Sequence, residues 1–84
     1  MNDVSEQPTD EALATRAGEG DAGAFETLVR RYESPLFNYI RRMIGNASEA
    51  EDLFQDTFMK VYDNLDRFRP EGSFRGWLYR IATN

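Results

Sequence analysis

The sequence contains no cysteine and no histidine. The missing cysteines exclude disulfides, and the absence of both residue types removes the two commonest ligands of protein-bound zinc. The missing histidine also removes the usual general base and the Ser–His and Cys–His pairs of nucleophilic enzymes. Catalysis would have to depend on carboxylates alone, and no pair of acids marks an evident cleft. We therefore expect a protein that is not an enzyme and that needs no metal or cofactor.

Long hydrophobic runs are also missing. No apolar stretch approaches the roughly 20 residues that a membrane-spanning helix requires, and the acidic N-terminus lacks the basic start of a signal peptide. These absences predict a cytoplasmic protein without membrane insertion. The 84 residues suffice for one small domain with a modest core.

Lysine is scarce, with Lys60 the single example among ten basic residues. The net charge of −5 opposes nonspecific binding to nucleic acid, which is a polyanion. The charge is unevenly distributed, however. Seven acids and one arginine lie in the stretch up to Val29, whereas four arginines and one glutamate lie between Arg67 and Asn84. Because the local field decides what a surface attracts, the C-terminal part of the chain can bind an anion despite the total charge.

Hydrophobic residues recur at intervals of three and four along the chain, as in amphipathic helices. No strand pattern or internal repeat interrupts them. We therefore predict an all-α fold, a compact bundle of about four helices over residues 9–84, preceded by a disordered tail over residues 1–8. The first helix is expected to be short, the second and third long, and the fourth to follow a Pro-Gly loop.

The ends of the first two helices are marked by capping residues. Thr9 or Asp10 can cap a first helix that stops at Gly18, and Asp21 can cap the second helix. Pro35 lies inside the second helix and removes one backbone donor. We expect a kink or a break there.

A capping box from Ser48 to Glu51 predicts the start of a third helix that runs to about Arg67. Its inward face is expected to contain Ala50, Leu53, Phe54, Thr57, Phe58, Val61, Tyr62 and Leu65. A turn at residues 69–72 then leads to Ser73, which can cap the fourth helix. The fourth helix is expected to bury Phe74, Trp77, Leu78 and Ile81.

Five residues fall in one stripe on the predicted third helix: Asp52, Gln55, Asp56, Met59 and Asp63. A solvated face, with its acids near the positive N-terminus of the helix, is the explanation that the sequence alone favours. Two details favour a contact surface instead. Met59 is an adaptable apolar side chain among charges, and the clustered acids forgo i,i+4 pairing with lysine. An acidic stripe with an apolar spot suits a basic partner helix.

The segment from Phe68 to Asn84 combines aromatic rings with arginines around a tight loop. Bases stack on such rings while guanidinium groups bind phosphates. Rings at helical spacing usually pack inward, and we accept that explanation for Phe74 and in part for Trp77. It suits Phe68 and Asn84 less well, because both lie at the edges of elements beside arginines. We therefore expect a pocket for an unstacked base.

Three stretches carry a resemblance to a known family: GDAGAFETLVRRYESPLFNYIRRMIGN, AEDLFQDTFMKVYDNLDRF and FRGWLYRIATN. In these stretches the chain resembles region 2 of the extracytoplasmic-function (group IV) sigma factors of bacterial RNA polymerase, from about Thr9 to the C-terminus. The resemblance implies an all-helical domain that recognises and melts the −10 promoter element. It also implies three partners, namely the RNA polymerase core, single-stranded promoter DNA and an anti-sigma factor.

Residue roles follow from the same resemblance. The stripe is implied to dock on the β′ clamp helices of the polymerase through Asp52, Gln55, Asp56, Met59 and Asp63. The loop and fourth helix are implied to capture flipped bases of the non-template strand through Lys60, Asn64, Phe68, Arg69, Ser73, Trp77, Arg80 and Asn84. Phe68 and Asn84 are the expected walls of the base pocket, the ring for stacking and the amide for reading a base edge.

A complete factor of this group carries a second domain, region 4, which this sequence lacks. We therefore expect a fragment of a longer protein that binds DNA weakly by itself. Two other functions remain open. A purely protein-binding helical regulatory module would explain the overall acidity. A helix-turn-helix that reads duplex DNA would need more phosphate-facing lysines than the single one present.

Overall fold

The computed structural model describes residues 7–84, so the disordered tail expected over residues 1–8 lies largely outside the described residues. This part of the chain contains α1 (Asp10–Gly18), α2 (Ala22–Ile44), α3 (Ala47–Asp63), a 3₁₀ turn (Leu65–Arg67) and α4 (Phe74–Thr83). It contains no strand, and the predicted all-α class with four helices is confirmed. None of these helices combines the length and the apolar character that crossing a membrane requires.

Three of the predicted helix caps are present. The side chains of Thr9, Asp21 and Ser73 each accept a hydrogen bond from the backbone N–H three residues further on, at 3.0–3.1 Å. These are the bonds of helix N-caps. At the end of α2, Gly45 has a φ of 80°, a left-handed conformation that favours glycine. Local side-chain chemistry therefore starts α1, α2 and α4 where the sequence predicts.

Both predicted ends of α3 are wrong. Asn46 rather than Ser48 caps the helix, since the Asn46 side-chain oxygen accepts the N–H of the residue three positions on at 3.0 Å. At the other end the helix stops at Asp63, short of the predicted end. There the side-chain amide of Asn64 donates to the carbonyl of Lys60 at 2.8 Å. Asparagine side chains compete with helical backbone bonds in this way, and a 3₁₀ turn follows instead of more α-helix.

α2 is continuous from Ala22 to Ile44 through Pro35, so the helix does not break there, contrary to one of the two expected outcomes. Pro35 is exposed, whereas Tyr32 and Leu36 beside it are buried. Proline removes one backbone hydrogen bond from a helix interior. Burial of the apolar face on both sides holds α2 together across that gap, because tertiary packing supplies most of the stability of helices in proteins.

The core lies where the four helices meet. Its largest fully buried side chains come from every helix: Leu13, Leu28, Leu36, Ile40, Thr57, Val61, Phe74 and Leu78. The Thr57 hydroxyl donates to the carbonyl of Leu53 at 2.7 Å. This buried polar group is therefore paired, as buried polar groups in proteins generally are.

Tyr62 departs from the inward face predicted for α3. Its side chain is 60% exposed, and its ring meets that of Phe25 edge-on at 5.1 Å between centroids. Phe58, Val61 and Leu65 already form the buried stripe of this part of the chain. Tyr62 lies one helical position, about 100°, away from Val61 and outside that stripe.

Two acids in the first turn of α1 connect this short helix to the others. Asp10 accepts hydrogen bonds from Nη1 of Arg31 at 2.9 Å and from the hydroxyl of Tyr32. Burial and the hydrogen bond to Asp10 raise the pKa of Tyr32 to about 12. Glu11 accepts the backbone N–H of Phe74 at 2.8 Å. α1 is thereby fastened both to α2 and to the first turn of α4.

Candidate nucleic-acid and protein interfaces

A hollow of about 340 Å³ lies between the C-terminal end of α3 and α4. We call it the α3–α4 hollow, and it is lined by Lys60, Asn64, Arg67, Trp77, Ile81 and Asn84. Trp77, Ile81 and Asn84 are spaced at i, i+4 and i+7, so they share one side of α4 and its C-cap. An aromatic ring, two amides and two cations around one hollow are the groups that bind a base and its phosphates.

Phe74 connects the two candidate base-binding rings to the core. The ring centroids of Phe68 and Trp77 lie 5.2 Å apart, and each lies within 6.0 Å of that of Phe74. Phe74 is fully buried, whereas Phe68 and Trp77 are half-buried. Inward packing therefore explains Phe74 completely, while the other two rings keep part of their surface open to solvent.

Phe68 and Asn84 do not line the single pocket that the sequence predicts. Phe68 lines a separate hollow of about 500 Å³, which we call the loop hollow, together with Asp66, Arg67, Arg69, Pro70 and Glu71. Asn84 lines the α3–α4 hollow. The Phe68 ring packs against Phe74 and Trp77, and Trp77 lines the α3–α4 hollow. Arg67 is shared, since it lines both hollows.

The other predicted nucleic-acid residues are placed less uniformly. The Ser73 hydroxyl is occupied as the cap of α4, where it accepts the N–H of Gly76 at 3.0 Å. Arg69 is exposed at the loop hollow, and Arg80 is exposed on α4 but lines neither hollow. Sequence reasoning missed Arg67 as a site residue, although it lies directly before Phe68 and carries the charge that phosphate binding needs.

All five residues of the predicted stripe, Asp52, Gln55, Asp56, Met59 and Asp63, are exposed on α3. Met59 is 63% exposed, as an apolar contact residue would be. Beside the stripe lies an apolar groove of about 460 Å³ between α2 and α3, lined by Phe25, Val29, Phe54, Gln55, Phe58, Met59, Tyr62 and Asp63. The sequence did not reveal the part of Phe25 and Val29 in this surface, because only the packing of α2 on α3 brings them to the stripe.

Lys60 lines the α3–α4 hollow and also pairs with a residue of the stripe. Its Nζ is 3.5 Å from Oδ2 of Asp56, one helical turn away. The expectation that the acids of α3 forgo i,i+4 pairing with lysine is therefore wrong for Asp56. Both side chains are more than half exposed, at 54% and 56%. Such exposed pairs contribute little to stability, so both groups remain accessible to partners.

Residues 28–84 match the family model of sigma-70 region 2. The chain belongs to this family. Among curated relatives, this region 2 chain is 40% identical over 81 residues, 96% of its length, to the ECF RNA polymerase sigma-E factor of Haemophilus influenzae. It is 41% identical over 78 residues, 93% of its length, to the RNA polymerase sigma-H factor of Pseudomonas aeruginosa. The chain spans 42% and 40% of the length of these two relatives.

Two solved structures share the fold of this region 2 chain. One is an engineered region 2 of sigmaE in complex with GTAAAA, determined by NMR; its TM-score is 0.87 at 40% identity, over 96% of this chain and 84% of that one. The other is CnrH in complex with the cytosolic domain of CnrY; its TM-score is 0.84 at 37% identity, over 89% of this chain and 49% of that one. The resemblance to region 2 of the extracytoplasmic-function sigma factors is confirmed.

Proposed function

We propose that this chain is the region 2 module of a transcription initiation factor, which docks on core RNA polymerase and captures the −10 promoter element as a single strand. The observation that carries the proposal is the α3–α4 hollow, where Trp77 and Asn84 lie beside Lys60 and Arg67. Rings and cations grouped in this way suit single-stranded nucleic acid. An engineered relative of the same fold is bound to GTAAAA. Since core RNA polymerase works in the cytoplasm, the proposal places the chain there.

Promoter melting in this proposal is driven by binding rather than by chemistry. Taking a base out of a duplex costs a few kcal/mol, and stacking on an aromatic side chain contributes about 1–3 kcal/mol per base. Trp77 offers such a ring in the α3–α4 hollow, and the amide of Asn84 can pair with a base edge. Because no bond is made or broken, the role is that of a binding protein rather than of an enzyme.

The two hollows suit two positions along one strand. Phe68 and Arg69 offer a ring and a cation in the loop hollow, and Trp77 and Lys60 offer the same pair in the α3–α4 hollow. Arg67 lines both, so its guanidinium is available to a phosphate between the two positions. Exposed Arg80 extends the cationic surface along α4.

The stripe on α3 is the proposed docking face for the β′ clamp helices of the polymerase. Its three acids attract a basic helix, and the adjoining apolar groove accepts the apolar face of such a helix. Met59 belongs to both the stripe and the groove, and an adaptable side chain of this kind suits a contact surface. Docking then presents the two hollows to the promoter.

A second function, regulation through a protein partner, is favoured by the same groove and by the net charge of −5. CnrH, which shares the fold, is in complex with the cytosolic domain of CnrY. We propose that an anti-sigma factor binds this chain and competes with the polymerase for the stripe and the groove. This role accompanies promoter binding and does not replace it.

The proposal is tested by titrating the chain, assembled with core polymerase, with single-stranded GTAAAA at two salt concentrations. We expect Phe68→Ala to weaken binding about tenfold, because the loss of one stacked base is worth about 1–3 kcal/mol. Asn84→Ala should weaken binding and relax the preference for GTAAAA over a scrambled strand. Higher salt should weaken binding by the wild type, as for any contact with phosphates.

Asn38→Ala is the matched control, because Asn38 is an exposed asparagine on α2 that lines neither hollow. Its affinity should equal that of the wild type. Unchanged affinity and unchanged preference in both Phe68→Ala and Asn84→Ala would contradict the proposed site.

A further inference from the structure

The first turn of α4 takes a hydrogen-bond partner from α1. The first N–H groups of a helix have no acceptor within it. In α4 the Ser73 hydroxyl oxygen accepts the N–H of Gly76. The N–H of Phe74 donates to Oε2 of Glu11 at 2.8 Å, and Glu11 lies 63 positions earlier in the chain. Phe74 is 0% exposed. Losing the acceptor would therefore leave a buried donor unpaired, which is costly.

Phe74 connects Glu11 to the candidate nucleic-acid surface, because its ring contacts two rings of that surface. Its ring centroid lies 5.8 Å from that of Phe68 and 6.0 Å from that of Trp77. Aromatic rings within about 7 Å of one another interact directly. A shift in the backbone of Phe74 would therefore displace the two half-buried rings that border the loop hollow and the α3–α4 hollow.

Asp10 stabilises the position of α1, because it bonds to two side chains of α2. Its carboxylate pairs with Arg31 at 2.9 Å, between side chains that are only 20% and 28% exposed, and it accepts the Tyr32 hydroxyl. The Tyr32 ring lies 5.9 Å from that of Phe74. These bonds hold α1 in one position on α2, and in that position Glu11 reaches the first turn of α4.

We propose that Glu11 is a positioning residue for nucleic-acid binding, which fixes the first turn of α4 so that Phe68 and Trp77 are in place before the strand arrives. The inference rests on the proposed function and deepens it, since Glu11 lines neither hollow. A surface held in its binding geometry loses less conformational entropy when the ligand binds, and affinity improves accordingly.

Three substitutions separate the reach of this side chain from its charge. Glu11→Ala removes the acceptor. Glu11→Asp keeps the charge but is one methylene shorter, and Glu11→Gln keeps the reach and an acceptor oxygen without the charge. Glu19→Ala is the matched control, because Glu19 is exposed just after α1 and its removal changes the net charge equally.

Each variant is assembled with core polymerase and titrated with single-stranded GTAAAA. We expect Glu11→Ala to bind roughly tenfold more weakly, which corresponds to about 1.4 kcal/mol. Glu11→Gln should recover most of the affinity and Glu11→Asp less. In the free chain, Glu11→Ala should also show faster hydrogen exchange at the Phe74 amide and altered emission from Trp77, the sole tryptophan. Glu19→Ala should match the wild type in every measurement.

The outcomes distinguish the inference from the function on which it rests. If the wild type binds GTAAAA and folded Glu11→Ala binds it equally well, the positioning role is wrong and the proposed function stands. The role is also wrong if Glu11→Asp matches the wild type while Glu11→Gln is impaired, since charge rather than reach would then matter. If Glu11→Ala does not fold, the comparison of Glu11→Asp with Glu11→Gln decides whether Glu11 has the positioning role. Failure of the wild type to bind GTAAAA would overturn both.

Discussion

Tyr32 donates its hydroxyl to Asp10 while its ring packs beside Phe74 and Tyr79. Burial is the main reason that the pKa of Tyr32 rises to about 12, and the neighbouring Asp10 carboxylate adds to it. A tyrosine in an unfolded chain has a pKa near 10. The folded state therefore binds the Tyr32 proton more tightly than the unfolded state. This contribution to stability is complete below about pH 10 and is lost as the pH rises through about 12.

Replacing Tyr32 by phenylalanine tests this linkage. The free energy of unfolding of the wild type should fall between about pH 10 and pH 12, and Tyr32→Phe should lack the part of that fall that belongs to Tyr32. Two pH units between the folded and unfolded pKa values correspond to about 2–3 kcal/mol as an upper value. Denaturant unfolding followed by circular dichroism measures both curves. Parallel curves for the wild type and Tyr32→Phe would contradict the linkage.

The starts of the individual helices show how much of the fold depends on side chains close together in the sequence. α1, α2 and α4 start at caps that the sequence predicts, because an N-cap needs only a side-chain oxygen and an N–H three residues away. For α3 the sequence predicts Ser48 as the cap. Asn46 prevails over Ser48, with the extended backbone of an N-cap (φ −115°, ψ 121°) just after the left-handed Gly45. α3 is therefore capped by the residue directly after the C-cap of α2.

Removal of the observed cap of α3, Asn46, should destabilise the fold more than removal of the predicted cap, Ser48. Asn46→Ala should lower the free energy of unfolding by about 1 kcal/mol, because it removes the side-chain acceptor of a backbone N–H at the start of the helix. Ser48→Ala should change it little, since Ser48 lies inside the first turn and is exposed. Thermal or denaturant unfolding of the two variants gives the comparison. A larger loss for Ser48→Ala would restore the capping box and contradict the observed start.

Across the whole molecule, α3 separates two surfaces of different character. The stripe and the apolar groove lie along α3, whereas the α3–α4 hollow lies at its C-terminal end. Lys60 is the residue where the two meet, through its pair with Asp56. A substitution in the stripe can therefore be expected to affect protein binding without disturbing the helical core.

Asp56→Arg tests this separation. It should weaken binding to core polymerase by at least about a hundredfold, because like charges brought together at an interface cost several kcal/mol. Helical content by circular dichroism should be unchanged, since Asp56 is exposed. Glu33→Arg makes the same charge reversal at an exposed position on α2 and should bind like the wild type. Wild-type affinity of Asp56→Arg for the β′ clamp would exclude the stripe as the docking face.

The helical class, most helix starts, the outward stripe on α3 and the family all follow from the amino-acid sequence alone. These depend on the helical period, on capping groups a few residues apart, and on short motifs such as those around Asp56 and Trp77. Each is a local property of the chain. The sequence was therefore sufficient to predict them.

The construction of the two surfaces, in contrast, depends on how the helices pack together. Phe68, which packs on Phe74, lines the loop hollow, whereas Asn84 lines the α3–α4 hollow. α2 adds Phe25 to the groove. Glu11 reaches the N–H of Phe74 across 63 positions of the chain. Contacts of this kind depend on how four helices pack at once, and no periodicity within a single helix encodes which distant side chain will meet which backbone group.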